Sequence, residues 1–210
     1  YKWYSGSAAA TCGVPATITS ALTSGLTYTR QASNVNNVLT VTSNTYSGSI
    51  YPTTGALTLT TPASFANLKV LYESVNNTPS GGSSTMNVTV TFTDATTQVF
   101  SGLTLVNWFT NTSSAYTNLQ RAQNLAPGAA STCGSGPYLF EMSLPISVSN
   151  QAKLVQSISF AYVTAAGTSV NTINYFHAMA VGGQAPAPSN CYTTPVISTT
   201  TPYYVQASIG

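Results

Sequence analysis

An all-β chain built as an antiparallel two-sheet sandwich is the fold class this sequence predicts, and three observations predict it. Apolar residues recur with period two, β-branched residues are abundant, and no long segment shows the i, i+3, i+4 spacing of an amphipathic helix. At 210 residues the chain is also long enough to bury a substantial core.

Taken in chain order, strands are expected at roughly 25–31, 37–42, 56–60 and 67–74, each a short run bounded by turn-forming residues. The clearest run follows, "TMNVTVTFT" at 85–93. Met86, Val88, Val90 and Phe92 point one way and Asn87, Thr89, Thr91 and Thr93 the other, as in a strand with one face on a core and one in water. "DATT" turns that strand into "QVFSGLTL", predicting a hairpin. Further strands fall near 137–144, 154–163 and 172–181, and their number and spacing suit a jelly-roll-like sandwich rather than βαβ units. Between them, 107–136 forms the longest irregular stretch, and long loops on a rigid scaffold are where function tends to sit. After Val181, "GGQAPAPSN" reads as a linker, because its Gly and Pro residues resist both helix and ladder formation.

Charge is scarce. Asp, Glu, Lys and Arg make up 4% of residues, yet mean hydropathy is only +0.12, because Thr, Ser and Asn fill the polar positions. The five cations, Lys2, Arg30, Lys69, Arg121 and Lys153, are scattered, with no run that could track a phosphate backbone or an anionic bilayer, which argues against a nucleic-acid partner. No apolar stretch is long enough to span a membrane, and membrane insertion is not expected. Cys12, Cys133 and Cys191 fit no metal-binding spacing; one bridge plus one odd thiol is the natural arithmetic, and it suits an extracellular chain.

Two stretches at the chain's ends, "YKWYSGS" and "CYTTPVISTTTPYYVQAS", resemble the middle and end of short Ig-like repeats found in large secreted proteins of the Bacteroidetes. The segments "TGALTLTTPASFANLKVLYES", "NVTVTFTDATTQVFSGLTLVNWF", "GPYLFEMSLPIS" and "QAKLVQSISFAYV" resemble a β-sandwich module of the same kind of cell-surface protein, which usually shows Asp-Gly where this chain has Asp94-Ala95, and Asp-Trp-Phe where it has Asn107-Trp108-Phe109. Together these resemblances imply a jelly-roll-like antiparallel sandwich inserted into a partial Ig-like sandwich: residues 1–12 begin the Ig-like repeat, 13–183 are the inserted module, and 184–210 are the linker and last strands. They further imply export by the type IX route to the cell surface. An inserted module with adjacent ends would bring Cys12 and Cys191 together as a disulfide at its neck; Cys12–Cys133 is the rival pairing.

Enzymatic chemistry finds little to work with. Of three carboxylates, Asp94 reads as a turn former, while Glu73 and Glu141 end or interrupt strands and read as solvated or locally hydrogen-bonded acids. His177 lies on the face of Ile173, Tyr175, Met179 and Val181 and reads as a core or rim histidine; a Cys133–His177 dyad would need an activated thiolate and a third group. No GxSxG elbow, HExxH or phosphate loop occurs, so no catalysis, metal or cofactor is expected. For binding, Trp108, Phe109, Tyr116 and Tyr138, with Arg121, fall in or beside the long loop and offer the flat rings and few polar groups a sugar site needs. The competing reading has Trp108 and Phe109 capping the end of the sandwich. The sequons at Asn76, Asn87 and Asn111 are assigned no role.

The function expected from all this is a non-catalytic repeat segment of a large secreted, surface-anchored adhesin or fibre. Its uncharged, hydroxyl-rich surface would contact neighbouring repeats of the same long chain, since desolvating charges there would be expensive. The alternative is a carbohydrate-binding accessory module of a secreted polysaccharide-degrading enzyme, with surface polysaccharide as partner.

Overall fold

The computed structural model describes residues 14–29, 38–43, 52–75, 84–110, 113–117, 119, 137–163 and 174–187. Strands account for most of them: β1 (Thr17–Thr19), β2 (Thr27–Thr29), β3 (Leu39–Thr42), β4 (Thr54–Ala63), β5 (Asn67–Val75), β6 (Thr85–Phe92), β7 (Thr97–Thr104), β8 (Phe140–Pro145), β9 (Val155–Val163) and β10 (Tyr175–Gln184). Eight form two antiparallel sheets, a first of order β3-β10-β5-β8 and a second of order β4-β9-β6-β7, while β1 and β2 make a separate hairpin. From β3 to β10 the chain changes sheet at every connection except the β6–β7 hairpin. The protein is an all-β sandwich, as its period-two patterning predicts.

That patterning is why these segments are strands. β6 alternates strictly between buried and half-buried residues, with Met86, Val88, Val90 and Phe92 inside. Beside them on β9 are Ile158 and Phe160, and opposite them on the first sheet stand Val70, Tyr72, Phe140, Met142 and Phe176, closing one continuous cluster between the sheets. Aromatic rings from both sheets meet there: Phe176 lies 5.4 Å from Tyr72 and 5.2 Å from Phe160. A corner of the sandwich is sewn by one amide. Gln98 on edge strand β7 donates through Nε2 to the Pro145 carbonyl, and its Oε1 accepts from the Ser147 amide, the Ser147 hydroxyl and Asn150 Nδ2.

The β6–β7 turn has a three-residue loop. The Ala95 amide donates to the Phe92 carbonyl and the Phe92 amide to the Thr96 carbonyl, with Ala95 left-handed at φ 64°. Asp94 serves as the turn former expected: its Oδ1 accepts from the Thr96 amide and hydroxyl, and Lys153 stands 3.0 Å from its Oδ2. Those hydrogen bonds from Thr96, with help from Lys153, pull the Asp94 carboxyl down to about 2.

Three expectations need correction. Gly182, Gly183 and Gln184 are not linker: they complete β10, paired with Lys69, Leu68 and Asn67, so the strand ends one residue beyond the boundary drawn at 183. The glycines are there for closeness. A Cβ on Gly182 would meet Leu26 at 3.1 Å and Tyr28 at 3.2 Å, and one on Gly183 would meet the Asn67 carbonyl at 2.5 Å. Next, Val181 does not share the face of Met179. A register shift between Ala178 and Ala180 turns it to the main core, while Met179 stays with the outer cluster. Finally, β4 is longer than 56–60 and contains Pro62, which an edge strand tolerates where its ladder lapses between Thr58 and Ala63.

The β1–β2 hairpin packs onto the outer face of the first sheet. Ser20 opens its turn by accepting the Leu22 and Thr23 amides on its side-chain oxygen. Ile18, Leu26 and Tyr28 then form a second cluster with Leu71, Leu139, Met179 and Ala180 of the sheet and with Ala115 and Leu119. Of the parts assigned to an Ig-like repeat, residues 1–12 and 184–210, all but 184–187 lie outside the described residues, as do all three cysteines.

Candidate functional site

Four of the five aromatic and basic residues singled out as ligand contacts come together at the end of the first sheet. Beyond β7 the chain runs alongside the end of β5: Ser74 Oγ donates to the Val106 carbonyl, and the Trp108 amide donates to the Ser74 carbonyl. The Tyr138 amide donates to the Trp108 carbonyl, and Tyr116 bridges to Leu139. Asn107 nucleates the turn that follows, its Oδ1 accepting the Phe109 amide and its carbonyl accepting the Thr110 amide. The result separates neighbours in sequence. Trp108 and Tyr138 are each 5% exposed, whereas Phe109 is 46% exposed and stands edge-on to the Trp108 ring at 5.0 Å. Trp108 and Tyr138 therefore cap the sandwich, Phe109 is what the turn presents outward, and half-buried Tyr116 packs against the cluster beneath the hairpin. Arg121 lies outside the described residues, as do Asn76 and Asn111; Asn87 Oδ1 is engaged by the Gly102 amide.

The outer face of the first sheet holds a polar row that sequence reasoning missed. Thr40, His177 and Glu73 lie abreast on β3, β10 and β5. Thr40 Oγ1 is 2.9 Å from His177 Nδ1, and His177 Nε2 is 3.6 Å from Glu73 Oε1, beyond hydrogen-bond range. The Tyr175 ring stacks on His177 at 5.9 Å with a 5° interplanar angle. Glu73 is not the solvated acid expected: its side chain is 2% exposed, and burial pushes its carboxyl up to about 8 while burial pulls His177 down to about 4. At neutral pH the row is therefore predominantly neutral rather than an ion pair.

Glu141, expected to be solvated or locally hydrogen-bonded, is neither. It sits within β8 with its carboxyl withdrawn from solvent, accepting the hydroxyl of sequence-distant Thr23 at 2.7 Å with Lys69 Nζ 3.9 Å away. Burial, and then Glu141 itself, push the Tyr28 phenol above its usual range. So Thr23 and Tyr28 of the hairpin address Glu141 of the sheet, and this acid belongs to the joint between hairpin and sheet. No cluster of three metal-ligating side chains occurs among the described residues.

The second sheet's outer face is of the opposite character. Thr58, Ser157, Thr91 and Thr97 form one row across β4, β9, β6 and β7, and Ala56, Ser159, Thr89 and Val99 form the next. Thr54, Ala161 and Asn87 continue a third row. None of these four strands contains Asp, Glu, Lys, Arg or His. Every residue in the first two rows is exposed or half-buried, and Val99 reaches 59% exposure. Ladder geometry sets the spacing of the side chains at about 4.8 Å between strands and about 6.8 Å along them.

No helix among the described residues is long and apolar enough to cross a membrane. No protein-family model matches the chain, and no curated protein shows significant similarity to it.

Proposed function

We propose that this chain is a non-catalytic segment of a large secreted, surface-anchored adhesin or fibre, acting in adhesion or cell-surface contact. The observation that carries the reading is the distribution of charge: four strands of a sandwich present hydroxyl, amide and small apolar groups outward, with no Asp, Glu, Lys, Arg or His among them. Such a face loses little on leaving water compared with a charged one, which suits a surface that is repeatedly brought against another. The strand orders β3-β10-β5-β8 and β4-β9-β6-β7, with a sheet change at nearly every connection, support a jelly-roll reading of the body. In the same proposal, residues 1–12 and 184–210 supply the first part and the linker and last strands of an Ig-like repeat, and Cys12 and Cys191 bridge the neck.

A second reading, the carbohydrate-binding accessory module, is favoured by one observation: Phe109 is held outward on a turn anchored by Trp108. Phe109→Ala separates the two. On the carbohydrate reading it abolishes retention on a polysaccharide affinity gel at unchanged Tm; on the adhesin reading it leaves surface attachment intact. The adhesin reading itself is tested with antibodies raised against the recombinant chain. They are expected to label intact, unpermeabilised cells and to block attachment, and labelling confined to lysed cells contradicts it.

A further inference from the structure

We infer that the open face of the second sheet, centred on Ser159 and Thr89, is a contact surface for the same face of a second copy of this chain. The inference rests on the reading of the chain as one segment among repeats, and deepens it by naming the partner.

Four features of the face lead there. A hydroxyl both donates and accepts, so the row Thr58, Ser157, Thr91, Thr97 is complementary to a copy of itself in either direction, which a row of carboxylates or ammoniums is not. The four strands bring no like charges together when two such faces meet, and the nearest charges, Asp94 and Lys153 at the β6–β7 end, pair with each other. Side chains at the centre are small: Ser157, Ser159 and Ala161 on β9 and Ala56 on β4 permit the roughly 10 Å approach of stacked sheets. Val99 adds an exposed apolar contact at the margin.

Size sets the strength. Four strands at about 4.8 Å spacing and five residues at about 3.4 Å give a plane of roughly 300 Å². A stable protein pair needs about 800 Å² from each partner. The contact is therefore too small to hold free monomers together at micromolar concentration. Repeats joined by short linkers experience effective concentrations in the millimolar range, where such a contact is populated. An aromatic-free face also fits a copy of itself better than a sugar, whose C–H surface calls for stacked rings.

The test is a concentration series of translational diffusion by NMR on the whole chain, with Ser159→Lys and Ser159→Glu. Wild type is expected to associate with Kd on the order of 1 mM, and each variant alone to weaken it at least tenfold. Mixing Ser159→Lys with Ser159→Glu is expected to restore association to wild-type strength or beyond, because the two positions face each other. Melting curves establish that the variants fold; if either does not, Thr91→Lys and Thr91→Glu replace them in the same row. Association that survives both single variants, or a mixture no stronger than its components, overturns the proposal. So does a wild type that stays monomeric to roughly 5 mM, well above the affinity such an area implies. Failure here leaves antibody labelling of cells unaffected, so the two readings fall separately.

Discussion

The two sheets share one core and differ in what lies on their backs. The first sheet is covered by the β1–β2 hairpin, and beneath and beside that cover lie Glu73, Glu141, Lys69 and His177. The second sheet has no Asp, Glu, Lys, Arg or His on any strand and no described strand over it. Among the described residues, charge is thus found on the first sheet and in the exposed Asp94–Lys153 pair at the β6–β7 turn, and no Asp, Glu, Lys, Arg or His lies on the strands of the second sheet. This inverts the usual arrangement, in which charged residues keep a surface soluble and separate. The inversion teaches that the open face is suited to contact and the covered face to holding the hairpin in one place.

Substitutions that attack the covered side have the largest expected effect. Tyr28→Ala removes a fully buried ring between hairpin and sheet and is expected to cost about 3–5 kcal/mol in chemical denaturation. Thr89→Ala on the open side changes nothing comparable, and a loss above about 1 kcal/mol there would show that the face is covered after all.

The Thr40–His177–Glu73 row makes the covered side sensitive to pH as well. Glu73 has its folded pKa raised from 4.5 to about 8, so its contribution is complete below 4.5 and lost as pH rises through 8. His177 has its folded pKa lowered from 6.5 to about 4, so its contribution is complete above 6.5 and lost as pH falls through 4. Between 4.5 and 6.5 the two slopes oppose each other, because the unfolded pair exchanges a neutral acid and base for a carboxylate and an imidazolium with no net proton. Stability is therefore expected to be flat there, and to fall from pH 6.5 to 8 by about 2 kcal/mol, the slope being about 1.4 kcal/mol per pH unit. Glu73→Gln is expected to abolish the alkaline fall. Urea midpoints across that range check both, and a wild-type profile rising toward pH 8 contradicts the account of the row.

Smaller, and on the second sheet, is the turn at Ala95. Its φ of 64° costs a residue with a Cβ about 1–2 kcal/mol, part of which glycine returns as lost chain entropy. Ala95→Gly is expected to stabilise by about 0.5–1 kcal/mol, raising Tm by a few degrees. A fall in Tm would mean that the strain is absent.

How far the sequence could be read follows the same division. β6 and β7 were legible because each alternates in register with one core face and one open face, and Asp94 announced the turn between them. On the covered side the strands were legible too, at 25–31, 37–42, 67–74, 137–144 and 172–181, but the packing over them was not, because its signals depend on a cover met only in three dimensions. β1 is three residues long and offers too little alternation to detect. Gly182 and Gly183 look like breakers until Leu26, Tyr28 and Asn67 are seen pressing on them. Glu73 and Glu141 look like strand ends, since nothing local announces that a hairpin from residues 17–29 closes over that face. At the aromatic turn, sequence grouped Trp108, Phe109, Tyr116 and Tyr138 but could not divide them into buried and exposed. Trp108 is buried because its backbone is pinned to Ser74 and Tyr138, leaving Phe109 alone in the exposed position.

The central claim is that the uncharged back of the second sheet is the face that engages another copy, and amide chemical-shift mapping of the chain from dilute to millimolar concentration tests it most directly. The expected result is that shifts concentrate on Ala56, Thr58, Thr89, Thr91, Thr97, Val99, Ser157 and Ser159, with His177, Glu141 and the hairpin unmoved. Shifts centred on the first sheet or on Phe109, or none at millimolar concentration, would contradict it.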